Sequence, residues 1–374
     1  MKEIRKKQPP SMQYYIQSSW INSDSPKGDF RKNLLSWFDQ QQRDLPWRKN
    51  PSLYKTVVSE FMLQQTRVST VLPYFANWLH LFPDFHALAS ASEKNVLKAW
   101  EGLGYYTRAR NLHKLAQVAE NWKEPPACIE EWKKLPGVGP YISAAVTSIS
   151  LNQPNAVCDG NVVRVLSRLF SVSEVFRDGA TAQKKLLPVA QKLLCKDRPG
   201  DFNQAMMELG ATVCHRRSPH CTLCPVISLC KSGSQGDFSQ YPKIQRKEKK
   251  KRQIKRYWVE QDDSILLHVS DAGRMRGIYE LPSSLPDWPN QHSSKPELMI
   301  NKKRTIGNVD YLENIYLIRT KISTSQSLTV GYEWVKWSDL NNFTISGPHR
   351  KWIREIRELA FPQIREDQRN KRQE

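Results

Sequence analysis

Four of the seven cysteines in this chain crowd into residues 214–230, CHRRSPHCTLCPVISLC. Cys214, Cys221, Cys224 and Cys230 follow the spacing C-x6-C-x2-C-x5-C, so any fold must bring four thiols together from one short loop. The N-terminus, MKEIRKKQPPSMQYYIQ, lacks the apolar segment of a signal peptide and argues against export. In such a chain a crowded cysteine set reads as metal-binding before it reads as disulfides. A structural zinc site is usually built from two separated C-x2-C knuckles. Only one such pair exists here, and four thiolates from one loop point instead to a 4Fe-4S cluster. Arg216 and Arg217 lie between the first two ligands, on a loop that could rest on phosphate or simply face solvent.

Charge narrows the partner. The net charge is +20, and the stretch 241–256 supplies nine basic residues against one acid. The remainder is still basic, which favours nucleic acid over a membrane surface. The basic stretch lacks interleaved apolar anchors, so a membrane role is excluded. No apolar run approaches the length of a bilayer span. The chain is expected in the cytoplasm as a monomer.

Hydrophobic spacing predicts helices almost throughout residues 30–230, in NLLSWFDQ, RVSTVLPYFANWLHLF, NVVRVLSRLF and KKLLPVAQKLL among others. The expected organisation is a tail at 1–26, a helical core at 27–236, a basic linker at 237–256, a smaller α+β domain at 257–359, and a tail at 360–374. Short aromatic and β-branched runs such as ILLHVS and NIYLIRTKI mark that smaller domain. Within the core, LPGVGP places Gly137, Val138 and Gly139 in a tight turn before a helix. Exposed amides at a helix N-terminus bind phosphate without reading sequence. Alone, the turn would be an ordinary helix connection; a second Gly-X-Gly in EGLGYYTRARN adds weight to a DNA reading.

Two carboxylates have unlike settings. Glu60 borders the apolar stripe of VVSEFMLQQT, where desolvation should raise its pKa. Asp159 opens the helix NVVRVLSRLF and by itself reads as an N-cap that stays ionised. Two acids pushed apart can divide labour as general acid and anionic stabiliser, the pair used in glycosidic cleavage.

With DLPWR, YKTVVSEFMLQQTRV, GLGYYTRARNLH, LPGVGPY, DGNVVRVLSR and the cysteine spacing together, the chain resembles the helix-hairpin-helix DNA glycosylases, and among them the MutY-type adenine glycosylases. The resemblance implies a mainly α core with a 4Fe-4S loop, a Nudix-like C-terminal domain, and bacterial, nucleoid-associated repair of duplex DNA. It implies removal of adenine mispaired with 8-oxoguanine or guanine. Glu60 would protonate the leaving base and Asp159 would stabilise the sugar cation, supported by Tyr141 and Asn161. Trp47, Arg48 and Leu63 would line the base pocket, while Gln65, Leu103 and Tyr105 would wedge the duplex. Relatives that nick the strand carry lysine where this chain has Tyr141, so a monofunctional enzyme is expected.

The C-terminal domain departs from the family pattern. The Phe-Ser-His turn that reads 8-oxoguanine has Ile306-Gly307-Asn308 as its counterpart, and relaxed or altered opposite-base recognition is expected. No pyrophosphatase signature follows Gly277. The rivals are a mismatch thymine or uracil glycosylase of the same superfamily, and a non-catalytic iron–sulfur damage sensor. Glu60 disfavours the first, and retention of both acids disfavours the second.

Overall fold

The computed structural model describes residues 20–245, 248–287, 295–319 and 328–360. The expected C-terminal tail beyond 360 and the first nineteen residues of the expected N-terminal tail lie outside them. In chain order the helices are α1 (Asp24–Gln41), α2 (Leu53–Leu63), α3 (Val68–Leu81), α4 (Phe85–Ser90), α5 (Glu93–Ala99), α6 (Thr107–Ala119), α7 (Ile129–Trp132), α8 (Pro140–Leu151), α9 (Gly160–Leu169), α10 (Gly179–Leu193), α11 (Pro199–Thr212), α12 (Lys231–Gln235) and α13 (Gly347–Ala360). The strands are β1 (Val175–Phe176), β2 (Lys243–Ile244), β3 (Lys250–Gln261), β4 (Ser264–Val269), β5 (Tyr279–Glu280), β6 (Glu297–Ile306), β7 (Val309–Ile318) and β8 (Tyr332–Lys336). The packing divides into two compact units: Met1–Val68 with Leu115–Arg246, and Ser69–Lys114 with Lys247–Glu374.

The first unit is helical. Its core gathers Phe30, Leu34 and Phe38 of α1, Val162, Leu166 and Leu169 of α9, Leu186 of α10, and Phe202 and Leu209 of α11. Residues 20–26 were expected to be loose tail. Instead Ile21 is buried, and Trp20 stacks on Phe30 and Phe170 at 5.6 and 5.4 Å. Their apolar area holds the segment down, an effect that composition alone does not reveal. The hairpin between α7 and α8 is pinned by fully buried Trp132, whose Nε1 donates to Pro126 O (2.8 Å) and whose ring meets Trp122 edge-on.

In the second unit a sheet runs in the order β5-β4-β3-β7-β6, with β8 paired to β4. β3 and β7 are parallel; β6–β7 and β4–β8 are antiparallel. Trp352, Ile353 and Ile356 of α13 cover it, packing with Trp258, Ile265, Leu267, Ile315 and Val335. Part of the expected basic linker is therefore strand, from Lys250 onward. Its outer residues stay solvated, which is why they read as a linker, yet their backbone pairs with β7 along its whole length. Residues 69–114 pack with this C-terminal part. Arg110 and Arg276 share Glu93, Tyr106 donates to Ile345 O (3.4 Å), and Glu101 meets Arg350.

An ionic group is buried beneath α13. Arg256 donates to Glu313 (2.7 Å), Glu280 (3.0 Å) and Leu281 O (2.7 Å), and Arg304 reaches both carboxylates. His349, fully buried, accepts from the Leu281 amide at Nδ1 (2.9 Å). Burial alone would raise both carboxylates, but His349, followed by Arg256 and Arg304, outweighs it: Glu280 falls to about 2 and Glu313 also moves down. Removing one member of a buried ionic group leaves an uncompensated charge, at a cost of about 3–5 kcal/mol. Arg256→Ala should therefore lower the unfolding free energy of the second unit by that order, measured by urea unfolding. A loss below about 1 kcal/mol would contradict this account of the sheet.

Candidate active site

Helix α2 starts at Ser52, whose hydroxyl caps the Lys55 amide (3.2 Å). Its residues Tyr54 and Thr56 to Met62 are all buried, so the helix runs through the protein interior and carries Glu60 with it. Glu60 is only 5% exposed, and its Oε2 meets no hydrogen-bond partner among the described residues. Burial pushes its pKa up to about 7; the Tyr141 hydroxyl opposes the shift, the charge of Asp159 adds to it, and Arg48 pulls it back. This is the behaviour the sequence led us to expect.

Asp159 lies at the start of α9. It accepts from the Val162 amide at 2.8 Å, which makes it the helix cap, and from Asn161 Nδ2 at 2.9 Å. The helix end was expected to keep its pKa low. Burial is the larger influence, and the net direction is upward, restrained by the Val162 and Asn161 hydrogen bonds. The approach to this cap is fixed by buried Asn203 of α11. It accepts from the Val157 amide (3.0 Å) and donates to Asn155 O and Ser148 Oγ (both 2.8 Å). Asn161 also accepts from Arg164 (2.9 Å), which donates to Gly210 O and Cys214 O.

One cavity of about 170 Å³ in the first unit is lined by Trp47, Arg48, Glu60, Leu63, Tyr141, Asp159 and Asn161. Seven residues read from the sequence as catalytic or pocket-lining thus meet at one place. Tyr141 donates to Met207 Sδ at 3.4 Å, and burial followed by the charges of Glu60 and Asp159 keeps its hydroxyl protonated well above the usual range. The same wall contains Arg43, Gln204, Met207 and Glu208, which sequence reading missed. Glu208 is 1% exposed and takes Arg43 (2.7 and 2.9 Å) and Arg48 (3.0 Å). Burial would raise it, but these arginines win and its pKa is lowered. The available signal was Gln204 and Glu208 at i,i+4 in FNQAMMELG, one turn apart on a largely buried helix.

The residues expected to touch DNA are distributed differently. Gln65 is exposed, at φ +57° in the turn after α2. In the hairpin turn the Val138 side chain is buried and its amide donates to Leu135 O (3.1 Å). Gly137, at φ +74°, and Gly139, the N-cap of α8, would offer backbone rather than side chains. Leu103 and Tyr105 belong to the second unit; Leu103 is buried, whereas Tyr105 is 51% exposed at φ +50°.

The four clustered cysteines are free thiols that line one cavity, together with Arg168, Val226 and Phe238. Among the described residues no group of three or more His, Cys, Asp or Glu is arranged to hold a metal ion. A Cβ at Gly233 would stand 2.5 Å from Ile227 Cδ1, so glycine leaves room for that side chain in the wall of the thiol-lined cavity. Buried Arg168 donates to Cys214 Sγ (3.2 Å), His215 O (2.7 Å) and Arg216 O (2.9 Å), which ties the loop to α9. Arg216 and Arg217 are exposed.

Residues 58–191 match the family described as HhH-GPD superfamily base excision DNA repair protein, a span holding Glu60, Tyr141 and Asp159. The adenine DNA glycosylase of Rattus norvegicus is 33% identical over 399 residues, covering 87% of this chain and 77% of its own. The chain belongs to the adenine DNA glycosylase family. The Homo sapiens enzyme of that name is 45% identical over 54% of this chain and 39% of its own. That of Buchnera aphidicola subsp. Baizongia pistaciae is 30% identical over 84% of this chain and 92% of its own. Among the described residues of this glycosylase no helix is long and apolar enough to cross a membrane.

Two outcomes follow for the glycosylase. Glu60 is raised to about 7 when folded, so the unfolded chain loses its proton first as pH rises. Wild-type stability should fall relative to Glu60→Gln between about pH 4.5 and 7, by roughly 3 kcal/mol in total, and stay level above about pH 8. A pH-independent difference in thermal unfolding would contradict the burial of a protonated acid. Gly210 has no room for a side chain: a Cβ there would meet Asn161 Cβ at 2.6 Å and its Cα at 3.1 Å. Gly210→Ala should displace Asn161, cost about 1–3 kcal/mol, and slow single-turnover cleavage far more than it weakens DNA binding.

Proposed function

We propose that this enzyme hydrolyses the N-glycosidic bond of adenine mispaired with 8-oxoguanine or guanine, leaving an abasic site without nicking the strand. The observation that carries the reading is a buried carboxyl with a pKa of about 7, in one cavity with a second, capped carboxylate. A base inside a duplex is out of reach, so adenine must be turned out into the cavity. Trp47 and Leu63 supply apolar surface there, and Arg48 is already held by Gln204 and Glu208. Glu60 gives its proton to N7 of the everted adenine, making the base a neutral leaving group. Positive charge then develops on the sugar. Asp159, restrained by Val162 N and Asn161, provides the compensating anion and does not need to move; water then bonds to C1′ and its proton returns to Glu60, which leaves the abasic sugar. Tyr141 stands where an amine would be needed for a Schiff base, and its protonated hydroxyl offers no such nucleophile.

The remaining parts hold DNA. The amides of Gly137 and Gly139 suit a phosphate of one strand, Gln65 suits a contact to the duplex, and in the second unit exposed Tyr105 suits the wedge. The loop 214–230 fits a 4Fe-4S cluster, with Cys214, Cys221, Cys224 and Cys230 as ligands. Such a cluster, when bound, would cross-link the loop and so fix Arg216 and Arg217 for phosphate contact. The C-terminal sheet and α13 form the Nudix-like domain. Its β6–β7 connection is a two-residue turn, Gly307-Asn308, with Gly307 at φ +58° and Asn308 Nδ2 bonded to Glu248 O (2.7 Å). This short, tied turn offers neither an imidazole nor an aromatic ring to the opposite base, so recognition of 8-oxoguanine is relaxed or altered.

The test uses duplexes with adenine opposite 8-oxoguanine, guanine or cytosine, and a G·T duplex, followed by alkali. Adenine duplexes should break only after alkali, and Glu60→Gln should lower the rate by about 10²–10⁴. The rate should decline as pH rises through about 7, since the acid must be protonated to act. Scission without alkali, or release of thymine in place of adenine, would overturn the reading. A preference for 8-oxoguanine over guanine of several orders of magnitude would overturn the account of the Gly307 turn.

A further inference from the structure

The turn 101–105 of the second unit is built from sparsely populated backbone. Gly102, Gly104 and Tyr105 have φ of +100°, +71° and +50°. The two glycines take such values freely, but Tyr105, a bulky residue in the left-handed region, persists there only where the surroundings hold it. Part of the restraint is local. Trp100 Nε1 donates to Gly104 O (3.0 Å), Arg108 donates to Leu103 O and Gly104 O (both 3.1 Å), and its guanidinium lies 5.5 Å from the Tyr105 ring centre. Tyr74 donates to Glu101 O (2.7 Å) and fills the place a Cβ of residue 102 would need.

The rest comes from more than two hundred residues along the chain, within the same unit. The Glu101 side chain is 9% exposed and meets Arg350 of α13 on one oxygen and Lys98 on the other (2.6 Å). Both cations also donate to Phe343 O, Arg350 at 2.7 Å and Lys98 at 2.9 Å. The start of α13 lies against the turn, where a Cβ on Gly347 would be 3.8 Å from Gly102 Cα. Lys98 precedes the turn on its own segment; Arg350 does not. Both cations thus link Glu101 to Phe343 O, and Arg350 is the one that adds the support of α13.

We propose that Arg350 is a positioning residue for base eversion: through Glu101 it holds the 101–105 turn in the form that presents exposed Tyr105 to the duplex. The inference rests on the glycosylase reading above. It assigns control of eversion to the C-terminal part of the chain, through the ion pair between Glu101 and Arg350 of α13. Loss of Arg350 leaves Lys98 on Glu101 and Phe343 O, so the carboxylate keeps a counter-ion while the turn loses its tie to α13.

The test compares full-length wild type, Arg350→Met and Arg350→Lys in single-turnover cleavage of two duplexes. One holds adenine opposite 8-oxoguanine; the other holds adenine opposite a tetrahydrofuran abasic analogue, where no pairing must be broken. Arg350→Met should slow the paired substrate by about tenfold and the unpaired one by less than about twofold, with partial recovery in Arg350→Lys. With 2-aminopurine at the target position, the fluorescence rise on binding should shrink in Arg350→Met. Glu101→Gln should reproduce the split, and the double variant Glu101→Gln/Arg350→Met should be no slower than the worse single one. Equal slowing on both duplexes, unchanged rates on both, or additive losses in the double variant would overturn the proposal. Should Arg350→Met fail to fold, Arg350→Lys and Glu101→Gln carry the same comparison. A wild type that releases no adenine from either duplex overturns the glycosylase reading itself; the 2-aminopurine signal then still decides the role of Arg350 without cleavage.

Discussion

The chemistry of this protein depends on how the charge of Arg48 is occupied. A carboxyl buried among apolar side chains resists ionisation, but a neighbouring guanidinium could reverse that preference. Arg48 is close enough to Glu60 to pull its pKa down. Its hydrogen bonds, however, go to Glu208, Gln204 and Arg43 O. Glu208 in turn is almost fully buried and accepts from two arginines, so the second carboxylate neutralises the cations and leaves Glu60 with desolvation as its largest influence. One acid is kept anionic so that the other can be neutral.

Helix α9 extends the same economy in another direction. Asp159 caps it, Asn161 holds Asp159, and Arg164 connects Asn161 to Gly210 O and Cys214 O. Four residues later Arg168 gathers the carbonyls of the cysteine loop and a sulfur. The cavity and the thiol-lined space are therefore two ends of one ten-residue helix. Because side chains packed at native density leave little slack, a shift at the loop has few ways to dissipate before it reaches the cap.

Much of the site was legible in the sequence because it is local. Glu60 within an apolar stripe, Asp159 before a valine-rich helix, and two glycines before Pro140 each announce their setting within a few residues. Long-range features were not legible. The Arg43–Glu208 pair spans 165 positions, and nothing near either residue names the other. Lys250 to Arg256 read as linker because charge dominates their composition, whereas their backbone pairing with β7 depends on a strand far along the chain. Trp20 looked like tail until its ring found Phe30 and Phe170. Asp159 shows a subtler limit. The cap was readable, but the depth of burial that moves its pKa upward is a property of the whole unit.

The grouping of residues 69–114 with the C-terminal sheet bears on modularity. The helical core looks like a self-sufficient catalytic fragment that could be separated after residue 246. Such a cut would strip Glu93, Glu101, Tyr106 and Arg110 of partners supplied by Arg276, Ile345 and Arg350. It would leave α3 to α6, between α2 and the hairpin, as an insertion without its C-terminal partners. Sequence order and mechanical order differ here: the chain passes through its second unit twice, and evolution could not exchange the C-terminal part without also renegotiating a segment from the middle of the first.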